Sequence, residues 1–108
     1  MSAEPSKPEI LAPKHCQTMA EVRAGVDDVD RALVALLQQR FGYMDAAARI
    51  KPTRDAVRDE ARKAQVIANV HAEAVARRLP EELLAQIWDA LVEGSIAYEL
   101  ERWDNTRG

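Results

Sequence analysis

Cysteine is nearly missing from this sequence, and the single Cys16 excludes an intrachain disulfide and fits a reducing compartment. Aromatic residues are sparse, with two Trp, two Tyr and one Phe. The dominance of Ala, Leu, Val, Glu and Arg favours helices over sheets. No apolar run approaches membrane-spanning length, and the N-terminus lacks the apolar segment of a secretory signal. No membrane partner is therefore expected, and the cytoplasm is the default location. Positive charge is not in excess either: a net charge of −3 argues against nucleic acid as a partner. Any anion must be bound by local clustering of cations. A Ser-His-Asp arrangement, a phosphate loop and a CxxC pair are all absent. His15 and Cys16 are neighbours, with His71 the only other imidazole, which does not make a metal site. There is no internal repeat and no low-complexity tract. At 108 residues the chain is one domain's worth of sequence.

What is present is a long helical pattern. From about Ala20 to Ile50 there is no proline, and Val22, Val26, Val29, Leu33, Leu36, Tyr43, Ala47 and Ile50 recur in steps of three and four. That spacing is close to a heptad seam. The step after Leu36 lands on Arg40, a cation where an apolar side chain belongs. A buried cation needs an anionic partner, either a protein carboxylate or a ligand.

Helix geometry relates Arg40 to two further cations. Lys51 follows it by 11 residues, about 16 Å along the axis and within roughly 20° of the same face. Two long side chains so placed can grip one small anion between them. Arg23 precedes Arg40 by 17 residues, about 26 Å away and roughly 100° around. It cannot serve the same small-molecule site in one chain, and an antiparallel pair of copies would let it reach its partner's site. A helix of about 30 residues spans about 45 Å, too long for a compact globule of this size, so a second copy is also expected to cover its apolar face.

Around this helix the chain divides simply. Residues 1 to about 18 carry Pro5, Pro8 and Pro13 and read as a flexible or draped arm, leaving 19–108 as the helical domain. Thr18 and Glu21 have capping-box spacing at the start of the first helix, and Pro52 ends it. A second helix is expected over roughly Val57 to Arg78. Pro80 breaks the chain, and Glu81 and Glu82 supply first-turn acids to a third helix that runs to about Trp103. Its expected stripe is Leu84, Ile87, Leu91, Ser95, Tyr98 and Arg102, followed by a polar tail. Trp88 and Trp103 read as packing residues.

Ser95 and Glu99 lie four apart, so they share a face that overlaps the apolar stripe. A carboxyl there titrates high unless a cation compensates, and Arg40 and Lys51 are the candidates. Arg58, Asp59, Arg62 and Lys63 crowd the start of the second helix, where exposed amides already favour anions. The residues alone describe a helical dimer with an inward cationic cluster suited to a small carboxylate.

The run Val22-Arg23, Val26, Val29-Asp30, Leu33, Leu36-Leu37, Gln39-Arg40 and Ala48-Arg49-Ile50-Lys51 resembles the all-helical class of chorismate mutases, which includes the related isochorismate-pyruvate lyases of salicylate and siderophore synthesis. The resemblance covers roughly residues 16 to 107. It implies an all-α fold, three helices per chain with a long first helix, in an intertwined homodimer. Arg40 and the partner's Arg23 would bind the carboxylates of chorismate or isochorismate, and Lys51 would donate to the ether oxygen. Arg62 would help hold a carboxylate, Asp59 would meet the ring hydroxyl, Ser95 would line the pocket, and residue 99 would be the second donor to the ether oxygen. No cofactor is implied, because the rearrangement to prephenate is intramolecular and needs neither nucleophile nor general base.

Two positions depart from the family pattern. Glu99 stands where bacterial mutases and the lyase usually carry Gln, some fungal mutases resembling this chain in using Glu, and it donates only when protonated. Activity is therefore expected to fall as pH rises. Lys63 stands where many mutases place a Glu that contacts the hydroxyl. Cys16, Tyr43, Ala47-Ala48-Arg49 and the ending Trp103 to Gly108 look more like the lyase, and Val57-Arg58-Asp59 more like a mutase. Mutase is the first reading, lyase the second, and a non-catalytic helical dimer that binds a metabolite or a partner enzyme the third.

Overall fold

The computed structural model describes residues 9–107. All the regular structure in them is helical: α1 over Met19–Ile50, α2 over Glu60–Ala76 and α3 over Glu81–Arg107, with single 3-10 turns at Pro13–His15 and Arg54–Ala56. The expected long first helix and two shorter ones are present. Pro5 and Pro8 of the expected arm lie outside the described residues. The chain forms two compact units, divided within α1 between Arg40 and Phe41.

In the first unit, α1 begins where the capping box places it. Thr18 Oγ1 accepts from the Glu21 amide at 3.1 Å, and Glu21 Oε1 accepts from the Thr18 and Gln17 amides at 3.0 and 2.8 Å. Three amides left open at the helix start are thereby satisfied locally. Among the described residues the heptad seam along this helix stays largely open. Val26, Val29, Leu33 and Leu36 are 50–60% exposed.

The second unit is built on α2 packed against α3. Its core is Val57, Val92 and Ile96, flanked by Val66, Leu100 and Trp103. The buried positions of α3 are Val92, Ser95, Ile96 and Glu99. This differs from the expected stripe: Ile87 is 47% exposed, and Tyr98 and Arg102 turn instead toward the last turns of α1. There Tyr98 donates to Asp45 at 2.8 Å and meets Phe41 edge-on at 4.8 Å. Arg102 lies over the Tyr98 ring and 3.4 Å from Asp45. The stripe rotates because α3 must face both α2 and the segment that carries Val57.

The second helix starts three residues later than the apolar pattern suggests. Val57 is 3% exposed and plugs the core from a 3-10 turn. Asp59 then caps α2, its Oδ1 accepting from the Arg62 amide at 3.0 Å. At the other end α2 closes in a Schellman turn, with Leu79 N–H on Ala74 O at 2.8 Å and Arg78 N–H on Val75 O at 3.1 Å. Glycine usually holds the left-handed position of this turn, and here Arg78 does so with φ of 58°. The third helix continues past Trp103 to Arg107, so the expected polar tail is helical. Long-range contacts extend it: Arg54 meets Asp104 through two hydrogen bonds of 2.9 and 3.3 Å.

Candidate active site

Pro52 stops α1, which leaves Lys51 as the first residue beyond the helix, its amide still bonded to Ala47 O at 2.9 Å. From there the side chain turns toward Val57 and α3. Lys51 Nζ lies 2.7 Å from Glu99 Oε2 and donates to Val57 O at 3.3 Å. Glu99 is 4% exposed, one helical turn after Ser95, which is equally buried. Ser95 Oγ donates to Leu91 O at 2.7 Å.

Glu99 thus sits among buried positions of α3 only because an ammonium compensates it. Burial of one charge alone is costly, and the close Lys51 cation offsets that cost. The contact is an ion pair by distance, yet Oε2 accepts no directed hydrogen bond among the described residues. The Lys51 side chain is 29% exposed against 5% for that of Glu99, so the ammonium is the member of the pair that solvent or a ligand reaches first. Of the two candidates to compensate Glu99, Lys51 is the one seen within this unit.

Asp59 and Arg62 stand at the start of α2, both exposed. Asp59 is engaged as the helix cap, and Arg62 Nη1 donates to Gln65 Oε1 at 2.7 Å. Lys63 is turned elsewhere, 3.0 Å from Asp89 and 2.8 Å from Glu93 on α3. Glu93 also takes two hydrogen bonds from Arg58, at 2.8 and 3.1 Å. The Arg58 guanidinium first, and Lys63 next, hold the Glu93 carboxyl down at about 2. The same carboxylates raise Lys63, Glu93 before Asp89. This network fastens α2 to α3. Arg23 and Arg40 both belong to α1 in the first unit, Arg23 exposed and Arg40 half-buried.

Two contributors were not expected from the sequence. Trp103 Nε1 donates to Lys51 O at 3.2 Å, and Arg107 Nη2 donates to the same oxygen at 2.8 Å. The signal available was Pro52, which leaves the carbonyls of the last turn of α1 in need of donors.

The sequence that carries this arrangement matches a known family over most of its length. The family described as chorismate mutase type II matches residues 22–100. The chain belongs to that family. Among its relatives is the isochorismate pyruvate lyase of Pseudomonas aeruginosa, 26% identical over 96 residues that make up 89% of this chain and 95% of that protein. The chorismate mutase match spans all the candidate residues of α1 after Val22, the start of α2, and α3 through Glu99 and Leu100. Among the described residues no helix is long and apolar enough to cross a membrane.

Proposed function

We propose that the protein is a chorismate mutase that rearranges chorismate to prephenate, working as a homodimer. The observation that carries this reading is the Lys51 ammonium held 2.7 Å from the buried Glu99 carboxyl, in a chain of the type II family. The reaction breaks an ether C–O bond and forms a C–C bond within one molecule. The protein must hold a folded conformer of a dianion and stabilise charge that grows on the ether oxygen. Lys51 is the donor to that oxygen. Arg40 and Arg23 of a second copy hold the two carboxylates, helped by Arg62 once it leaves Gln65. Asp59 meets the ring hydroxyl with the oxygen not used in the cap, and Ser95 lines the pocket.

Glu99 in its protonated form is the second donor. An ether oxygen seated beside Lys51 competes with the Glu99 carboxylate for one ammonium. Protonation of Glu99 removes the competition and creates a second hydrogen-bond donor in one step. The dimer reading is supported by the open seam of α1, since four half-exposed Val and Leu residues in heptad register call for a matching surface.

The second reading is an isochorismate-pyruvate lyase, favoured by the 26% identical relative. Both reactions need a compact dianion near Lys51. The deciding experiment is side-by-side turnover of chorismate and isochorismate by the purified protein from about pH 5 to 8, with Glu99→Gln in parallel. Prephenate formed from chorismate is the expected result. Salicylate and pyruvate from isochorismate alone would establish the lyase. Neither product at any pH would leave a non-catalytic helical protein.

A further inference from the structure

We infer that Trp103 and Arg107, at the end of α3, are positioning residues for Lys51, setting its ammonium by clamping the carbonyl end of α1. The inference deepens the proposed function and rests on Lys51 as the donor to the ether oxygen.

The argument starts from an accounting of carbonyls. The last four C=O groups of any α-helix lack partners within the helix. Pro52 has no N–H and cannot carry the ladder further. One guanidinium takes up most of the resulting need. Arg107 Nη1 donates to Ala48 O at 2.9 Å, and Nη2 donates to Lys51 O at 2.8 Å and, more weakly, to Arg49 O at 3.4 Å. Trp103 adds its indole N–H to Lys51 O at 3.2 Å.

The clamp is itself held rigid. The Arg107 guanidinium stacks on the Trp103 ring, 4.3 Å from its centre. Trp103 packs in turn against the core around Val57, Val92 and Ile96. The charge is well placed as well, because the guanidinium lies at the negative ends of both α1 and its own helix. Its planar fork reaches separate oxygens at fixed spacing, which an ammonium cannot do.

Lys51 is consequently fixed at every polar group. Its N–H is on Ala47, its C=O on Trp103 and Arg107, and its Nζ on Val57 O and Glu99. When a ligand draws Nζ away from Glu99, the backbone of Lys51 stays clamped, and the ammonium can only swing from a fixed root. Loss of the clamp lets that root drift, and a drift of about 1 Å is enough to cost up to a hundredfold in rate.

Two variants test this with the full chain. Arg107→Ala removes the fork, and Trp103→Phe keeps an apolar ring in the core while deleting the N–H donor. Each is expected to lower kcat between about tenfold and a hundredfold, with KM within about twofold, because the carboxylates are bound by other residues. Arg107→Lys should recover only part of the loss, since it can serve one oxygen well. Should Arg107→Ala lose its helical circular dichroism, Trp103→Phe decides. Wild-type turnover with kcat unchanged in the folded variants overturns the inference alone. Absence of wild-type turnover on both chorismate and isochorismate overturns the reading of Lys51 as donor, and the inference falls with it.

Discussion

Removing the Lys51 ammonium should destabilise the fold through Glu99 rather than through lost packing. Lys51→Met keeps the length and apolar stem of the side chain and deletes the charge 2.7 Å from a carboxyl that is 4% exposed. Breaking a fully buried ion pair from one side costs about 3–5 kcal/mol. The Lys51 side chain is 29% exposed, so solvent screens part of the effect and about 3 kcal/mol is the appropriate figure. Glu99→Gln keeps the volume and removes the charge from the other side, at a cost of about 1 kcal/mol. In the double variant no charge is stranded, and the pair should show a coupling of about 2 kcal/mol. Urea unfolding at one fixed protein concentration reads these values, with Lys51→Met moving the midpoint down by roughly 1.5 M. The reasoning is refuted if Lys51→Met costs the same in the wild-type and Glu99→Gln backgrounds.

Other consequences are as direct. Glu93 is held at about 2 by Arg58 and Lys63, below the ordinary 4.5, so its contribution to stability is present above about pH 4.5 and is lost as pH falls toward 2. Urea midpoints measured across that window should drop more steeply for wild type than for Glu93→Gln, and parallel curves would contradict the assignment. Arg78 holds φ of 58°, so Arg78→Gly should raise stability by about 0.5–1 kcal/mol, the strain relieved exceeding the added chain entropy; a lower melting temperature would refute this. Leu36 lies in the open seam at 60% exposed, and Leu36→Glu should convert the proposed dimer to monomer in sedimentation while helicity persists in the second unit. Lys51→Ala should reduce turnover by about 3–4 kcal/mol of barrier, several hundredfold, in steady-state kinetics.

The parts of the fold visible in the sequence were those governed by neighbours in the chain. The capping box at Thr18 and Glu21, the stop at Pro52 and the break at Pro80 depend on local chemistry, and each lies where that chemistry puts it. The need for a cation beside Glu99 was also readable, because a carboxyl on the apolar face of α3 demands one, and of the two candidates Lys51 is seen to supply it. Long-range effects were not readable. Val57 looks like the first apolar residue of α2, but the core draws it out of the helix and hands the cap to Asp59. The end of α3 looks like a polar tail, yet Asp104 and Arg107 find partners some 50 to 60 positions earlier in the chain and keep it helical. The left-handed turn carries Arg78 where glycine would have announced it.

The bond from Lys51 Nζ to the carbonyl of Val57 closes residues 51–57 into a ring. One end of that ring carries the ammonium and the other carries a core side chain. Surface loops ordinarily accept insertions cheaply, because each doubling of length costs only about 0.6 kcal/mol in closure entropy. This segment has no such slack. One added residue would either lift Val57 out of the core or pull Lys51 from Glu99, so length here is as tightly specified as the volume of a core side chain. Peptide tags, reporter fusions and loop exchanges between relatives belong elsewhere in the chain.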